Sequence, residues 1–444
     1  MEINYDGLVG YSHNYAGLSY GNVASMGNKA LVSNPKEAVL QGLTKMKTLM
    51  ELGYKQGVFA PQERPDIQAL RGLGFSGTDA QVLDSAYRKA PEMFAACCSA
   101  SSMWTANAAT TCASIDSSTG KVHFTAANLA NKFHRAIEHP TTTRLLKGMF
   151  PGDAFVHHAA LPSSGTTGDE GAANHTRFFA KEDEPGFHFF VYGIAALQDG
   201  KGPKPEKFPA RHSLESSEAI ARRHGLSPSH CFFAQQNPLV IDAGAFHNDV
   251  VSVGNKNVIF YHELSFLEAT AFAKLGEKFK AACGIDLVGV MVKDSEVPIK
   301  DAVKSYLFNS QLLTRPGGGM VLIAPTDCET TPTVKAYLEK LLKSNAPIKE
   351  VRYFNLRQSM QNGGGPACLR FRVELNEKEM KLANQNCLMT PALFTKLEAW
   401  ANANYRDELH LHELADPKFL TEGRKALDEL TQILGLGSVY PFQL

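Results

Sequence analysis

Cys368 closes the stretch Asn362-Gly363-Gly364-Gly365-Pro366-Ala367-Cys368, which packs poorly and presents a thiol well. Glycine permits φ > 0 and close backbone approach, and proline fixes φ and removes a donor. After it, Leu369-Arg370-Phe371-Arg372-Val373-Glu374-Leu375 alternates apolar and charged residues, so the cysteine is expected where a loop becomes a strand. A free thiol, with a pKa of about 8.5, is mostly protonated at neutral pH, so a cysteine nucleophile needs a nearby base or cation. His247 and Asp249 stand two apart in Gly244-Ala245-Phe246-His247-Asn248-Asp249-Val250-Val251. On an extended strand both point to one face and form a compact acid/base and cation-binding pair. Gly168-Asp169-Glu170-Gly171 places two acids between glycines, and Arg135 and Arg211 offer planar, bidentate donors for carboxylates. Taken singly, each group has a structural alternative: a glycine turn before a small buried residue, a core histidine, a solvated acidic turn, a surface arginine. Residue types alone leave both readings open.

The elements that must position these groups are partly marked by their caps. Ser33-Asn34-Pro35 opens a helix running through Leu40, Leu43, Met46 and Leu49 to Gly53. Ser213 opens another, ending at Gly225. A third is expected over 264–282, a fourth from Thr331-Pro332 to about Ser344, and a last from Asp416-Pro417 to Gly435. Short strand-like runs lie between them: 122–125, 187–191, 230–234, 258–261, 287–292 and 320–323, with 254–257 as a turn before the fourth. Val58-Phe59-Ala60-Pro61-Gln62 after the first helix echoes Phe232-Phe233-Ala234-Gln235 after the second. Single helices interleaved with short strands suggest repeated β-rich modules rather than a doubly wound sheet. No G-x-G-x-x-G follows a strand, and Pro316-Gly317-Gly318-Gly319 lacks the Lys-Ser/Thr of a phosphate loop.

Composition narrows the classes. The chain has 444 residues, 44% hydrophobic and 20% charged, with 45 basic and 45 acidic side chains. A formal net charge of zero gives no nucleic-acid footprint. No apolar run approaches the ~18 residues of a membrane span, and the start lacks a signal-peptide pattern, so neither a membrane nor a nucleic-acid partner is expected. The eight cysteines are scattered without C-x-x-C or Cys/His metal spacing, which suits a reducing cytoplasm and a site without metal.

Four blocks in order, Gly168–His175, Phe246–Asp249, Tyr306–Leu313 and Asn362–Cys368, resemble the N-succinylarginine dihydrolase family of the guanidine-modifying superfamily. The resemblance extends from Asp6-Gly7-Leu8-Val9-Gly10 to Gly437-Ser438-Val439-Tyr440-Pro441-Phe442. It implies a single catalytic domain over 1–444 with the α/β pentein fold, a five-bladed α/β propeller of pseudo-fivefold ββαβ-type modules with the active site in its central channel. It implies Cys368 as nucleophile, His247 as general acid/base and Glu170 as the third catalytic residue, with Asp249 holding a guanidinium. The loop Ala16, Gly17, Leu18, Ser19, Tyr20, Gly21, Asn22, Val23, Ala24 and Ser25 would line the substrate site with Asn107, His134, Arg135, Arg211 and Asn362. Arg135 and Arg211 would take the substrate carboxylates, supported by Asn22 and Asn107. The implied reaction converts N2-succinylarginine to N2-succinylornithine, two ammonia and carbon dioxide in arginine catabolism. It uses no metal or organic cofactor, in a cytoplasmic homodimer. A deiminase-like hydrolase releasing one ammonia, and a non-catalytic propeller used as a binding module, are the alternatives. The three glycines are expected to keep side chains out of the channel mouth.

Overall fold

In the computed structural model, which describes residues 1–99, 101–198 and 202–444, one motif recurs along the chain. The described residues form five three-stranded sheets. The first begins with β1 (Glu2–Gly7), helix α1 (Pro35–Glu51) and β2 (Gln56–Phe59). The second has β3 (Ala109–Cys112), β4 (Val122–Ala126), α2 (His139–Met149) and β5 (Phe155–His158). The third has β6 (His175–Phe178), β7 (Phe187–Tyr192), α3 (Leu214–Arg223) and β8 (Cys231–Gln235). The fourth has β9 (Ser252–Asn255), β10 (Val258–His262), α4 (Ala271–Cys283) and β11 (Val288–Val292). The fifth has β12 (Gln311–Thr314), β13 (Met320–Pro325), α5 (Pro332–Leu342) and β14 (Ile348–Phe354).

In the last four sheets the first two strands pair antiparallel, and the third returns parallel to the middle one after its helix. The first sheet is completed from the far end of the chain. Strand β15 (Arg370–Glu374) pairs antiparallel with β1, placing Tyr5 opposite Phe371, while β2 pairs parallel with β1 on the other side. The first strands of the sheets lie near one another: β15 contacts β3, and β9 contacts both β6 and β12. Two further helices, α6 (Pro391–Asn404) and α7 (Pro417–Leu434), add a layer over the first sheet, where α6 packs on α1. No helix among the described residues is long and apolar enough to cross a membrane.

Capping chemistry explains most helix starts. Asn34 accepts from the Glu37 N–H, Ser213 from Ser216 and Asp416 from Lys418, each filling an orphan donor of a first turn. Pro35 and Pro417 occupy first helical positions, where a missing N–H costs nothing. The expected helix over 264–282 begins only at Ala271; Ser265 is instead drawn into hydrogen bonds with Val251 and His262. The turn over 254–257 is a hairpin in which Lys256 takes φ 52°. The run Val250–Val253 is not the strand that alternation suggests: residues 248–250 form a 3-10 turn and β9 starts at Ser252. His247 and Asp249 therefore do not share one strand face.

One buried ion pair ties the first sheet to its helix. Lys45 of α1 is fully buried and its Nζ lies 2.5 Å from Asp6 Oδ2 of β1. Burial pushes the Asp6 pKa up and the Lys45 pKa down, each against the pull of its partner. Desolvation thus outweighs the attraction, and the pair contributes little beyond a matched charge. Removing one member leaves the other buried and alone. Lys45→Met is expected to lower unfolding free energy by about 3–5 kcal/mol, and Lys45→Met with Asp6→Leu to recover most of it. Urea unfolding of the two variants measures both.

Candidate active site

The groups singled out in the sequence sit in turns that precede the first strands of the sheets. Cys368 lies two residues before β15, Asn107 two before β3, and His247 and Asp249 just ahead of β9. Glu170 precedes the short 3-10 turn Gly171–Asn174 that leads into β6. Because these strands neighbour one another, the turns at their starts converge.

Cys368 is 2% exposed, with two polar neighbours at sulfur. Its Sγ donates to Asp249 Oδ2 at 3.3 Å and accepts from Asn309 Nδ2 at 3.0 Å. Burial first, and then Asp249, push the thiol well above its ordinary value. Burial likewise raises the Asp249 carboxyl to about 7, opposed by hydrogen bonds from Cys368 and Asn309. Asp249 Oδ1 is buried without a partner among the described residues. A cation placed at Asp249 would lower both values, favouring carboxylate and thiolate together.

The imidazole is held from behind. His247 Nε2 lies 2.7 Å from Glu170 Oε2, and that oxygen also accepts from Arg135 Nη1 at 2.5 Å. Nε2 carries the proton because a carboxylate can only accept. Nδ1 then carries the lone pair, buried and without a partner among the described residues. Burial lowers the His247 pKa to about 4 despite Glu170, helped by Arg211 and Arg135, so the resting ring is neutral. Burial alone would raise the Glu170 carboxyl, but Arg135 and then His247 hold it well below the usual carboxylate range. The Glu170 backbone is fixed as well: its N–H donates to His212 Nδ1 at 3.0 Å and its C=O accepts from Asn107 Nδ2 at 2.6 Å.

Cys368 and His247 border one cavity, with about 490 Å³ of empty space counting its mouth. Ala16, Gly17, Leu18, Ser19, Asn22, Ser25, Asn107, His134, Arg135, Arg211 and Asn362 line it too. Tyr20, Gly21, Val23 and Ala24 of the same loop are not on its wall: Tyr20 and Val23 are more than half exposed, and Tyr20 packs edge-on against Phe208. The loop is pinned over the cavity by Asn22 Nδ2, which donates to the Gly363 carbonyl at 2.7 Å, and by Arg211 Nη2, which donates to the Tyr20 carbonyl at 3.2 Å. Glu170 is fully buried behind His247, and Asp249 lines a second hollow together with Ala367 and Arg370. Sequence reasoning missed Trp104, Ser101 and Phe246 on the cavity wall, and Asn309 at the sulfur. Asn309 lies inside the 306–313 block, but an asparagine among apolar residues carries no local sign of contact with a thiol.

The glycines before Cys368 are closely packed, and Gly363 is on the cavity wall. Gly363 has φ +95°, and a Cβ there would sit 2.0 Å from the Asn22 side chain. At Gly365 a Cβ would lie 2.7 Å from the Asn309 carbonyl oxygen. The loop passes too close to its supports for any side chain. Elsewhere, Cys112, Asp116 and His188 bring potential ligand atoms within 4.8 Å of one another. Asp116 is already saturated by Arg177, His188 and the Gly186 N–H, so this cluster is a buried ion-pair network rather than a cation cradle.

A thiol against one carboxylate and an imidazole against a second are groups that hydrolytic chemistry can use. Residues 1–443 match the family model for succinylarginine dihydrolase, and the chain belongs to that family. It is 57% identical over 445 residues to the N-succinylarginine dihydrolase of Ectopseudomonas mendocina, covering 100% of this chain and 99% of that protein. It is 58% identical over 444 residues to that of Shewanella oneidensis, with the same coverage. Among solved structures, the N-terminal domain of ArgZ bound to product, an arginine dihydrolase from the ornithine-ammonia cycle in cyanobacteria, aligns with a TM-score of 0.52. It does so at 15% identity, covering 84% of this chain and 98% of that one. At that identity the likeness is one of fold: a mixed α/β architecture.

Proposed function

We propose that this protein hydrolyses N2-succinylarginine to N2-succinylornithine, two ammonia and carbon dioxide, with Cys368 as nucleophile. The observation that carries the reading is that Cys368 and His247 border one cavity, each backed by a carboxylate: Cys368 Sγ on Asp249 at 3.3 Å, and His247 on Glu170 at 2.7 Å. The full-length family match supports the substrate. We further read the five sheets as blades of a propeller closed around a common axis, a reading supported by the neighbouring first strands and by the pairing of β15 with β1.

In the first cycle the guanidinium binds Asp249 and positions its carbon beside the sulfur. The thiol proton passes to His247 Nδ1, and Glu170 stabilises the resulting imidazolium. Sulfur attacks the guanidinium carbon, the tetrahedral adduct takes the proton from His247, and ammonia leaves. The product is an S-alkylthiouronium cation. Water, deprotonated by neutral His247, adds to the same carbon; the C–S bond breaks, its electron pair returns to sulfur, and N2-succinylcitrulline remains. A second cycle at the ureido carbon adds one more water and yields succinylornithine, ammonia and carbon dioxide. No step calls for a metal or organic cofactor. The unpaired, mostly buried cysteines suit a reducing cytoplasm, where we place the protein as a homodimer.

Arg211 is the best-placed receptor for a substrate carboxylate. It is 5% exposed, its Nε has no partner, and its guanidinium stacks 4.7 Å from the Phe246 ring. Arg135 is already committed to Glu170. Arg211→Ala is expected to raise KM about 10–100-fold, the value of a charge-assisted hydrogen bond of ~1.5–3 kcal/mol, with a small change in kcat. Steady-state kinetics decides it; an unchanged KM removes Arg211 from the substrate. The function is tested by incubating the purified protein with N2-succinylarginine and measuring ammonia and succinylornithine together. Two ammonia per succinylornithine is the expected ratio. One ammonia with succinylcitrulline as end product would make it a deiminase, and no turnover would leave a binding protein.

A further inference from the structure

Asn309 is fully buried beneath the cysteine loop, and its side-chain amide and backbone carbonyl are engaged there. Its Oδ1 accepts the N–H of Gly365 at 2.7 Å and that of Cys368 at 3.2 Å. Its backbone carbonyl accepts the N–H of Ala367 at 3.0 Å. Its Nδ2 donates to Cys368 Sγ at 3.0 Å and lies 3.4 Å from the Asp249 carbonyl. One side chain thus sets the shape of the loop and touches the sulfur.

We propose that Asn309 is a further catalytic residue, whose Nδ2–H binds the Cys368 thiolate while its Oδ1 fixes where that sulfur stands. The inference deepens the proposed function and rests on Cys368 being its nucleophile. The sulfur has two close polar neighbours of opposite effect: Asp249 disfavours a negative sulfur and the Asn309 amide favours it. An amide suits this place better than a lysine or arginine. It offers a donor to the thiolate without a charge that would repel the guanidinium from Asp249 a few ångström away. The same donor is needed whenever a C–S bond breaks, because the electron pair then returns to sulfur and a thiolate leaves.

Asn309 is held in place at some conformational cost. Three residues earlier, Tyr306 takes φ 56°, in the left-handed region, directly after the helix turn Ile299–Ser305. A bulky aromatic there is a genuine outlier that persists only when its surroundings over-determine it. Tyr306 is buried, its Cβ would meet a Cβ at Gly365 at 3.2 Å, and the turn it makes carries Asn309 under the sulfur.

The test uses the isosteric Asn309→Asp, which keeps an acceptor for the two loop N–H groups and puts an oxygen where the donor was. Alkylation of Cys368 by iodoacetamide, followed by mass spectrometry across pH, reads thiolate formation directly. The midpoint is expected to rise by about one pH unit or more, and kcat to fall ~100-fold with KM changed less than about threefold, as when one oxyanion donor is removed. Asn309→Ala should do the same to kcat. In the unmutated protein, the Asn309 side-chain amide resonance should titrate with the same midpoint as alkylation, a readout that needs no variant to fold. An alkylation profile of Asn309→Asp that overlays the wild type, or an amide resonance that ignores the titration, overturns the proposal. Ammonia release by Cys368→Ser at wild-type rate would instead overturn the nucleophile reading beneath it, so the two failures are distinguishable.

Discussion

Cys368→Ser is expected to bind N2-succinylarginine and release no measurable ammonia. The serine hydroxyl would fill nearly the same space, and Asp249 and Asn309 would still flank it. What is lost is an atom that carries negative charge cheaply near neutral pH and leaves well from a tetrahedral carbon. Serine has no base in direct contact here except Asp249, which must hold the substrate cation at that moment. Loss of a nucleophile of this kind costs on the order of 10⁴–10⁶ in kcat, with binding nearly intact. Isothermal titration with succinylarginine and a continuous ammonia assay on the same preparation measure both. Wild-type ammonia release would sink the nucleophile assignment; lost binding with a native fold would mean that the sulfur itself recognises the substrate.

Glu170→Gln is the second large effect. Glu170 Oε2 alone receives both His247 and Arg135. The amide would keep the volume and remove the charge that orients the ring through Nε2–H and stabilises the imidazolium. It would also leave Arg135, 4% exposed, without its anion in the cavity wall. A fall in kcat of about 10²–10⁴ is expected, comparable to other changes that misplace a catalytic histidine. A pre-steady-state measurement refines the prediction. Formation and hydrolysis of the thiouronium adduct should both slow in the variant, because both delivery of the proton and activation of water pass through His247. A variant within threefold of wild type would assign Glu170 to structure alone.

Much of the frame was legible because it is written locally. Asn34-Pro35 and Asp416-Pro417 state their helix starts in two residues, and a short apolar run between turn residues is a strand whatever surrounds it. The cysteine loop was legible for the same reason, since three glycines and a proline restrict what a chain can do. What failed was where long-range contacts decide. The alternation after His247 looked extended, yet Asn248 is drawn inward: its N–H donates to Asn174 Oδ1 and its Oδ1 accepts from Ser252, and the chain turns. Lys45 on an amphipathic helix reads as a surface residue until Asp6, 39 positions away, is known to face it. Asn309 and Cys368 are 59 residues apart, and no local pattern joins them. Arg135 does line the cavity, but its bond to Glu170, 35 residues off, has no local sign in the sequence.

The pairing of β15 with β1 has a bearing on how the protein is made. During synthesis β1 is made well before the strand that completes its sheet, which is translated more than 360 residues later. Until then the nascent chain carries a strand with one edge bare, the kind of surface that chaperones cover. Because the cysteine turn immediately precedes β15, the same late event that seals that edge also delivers the thiol to its partners. Ribosome-bound or prematurely terminated chains would therefore be chemically silent as well as sticky. The cell would see an unfinished copy as a folding client and never as a partly active enzyme.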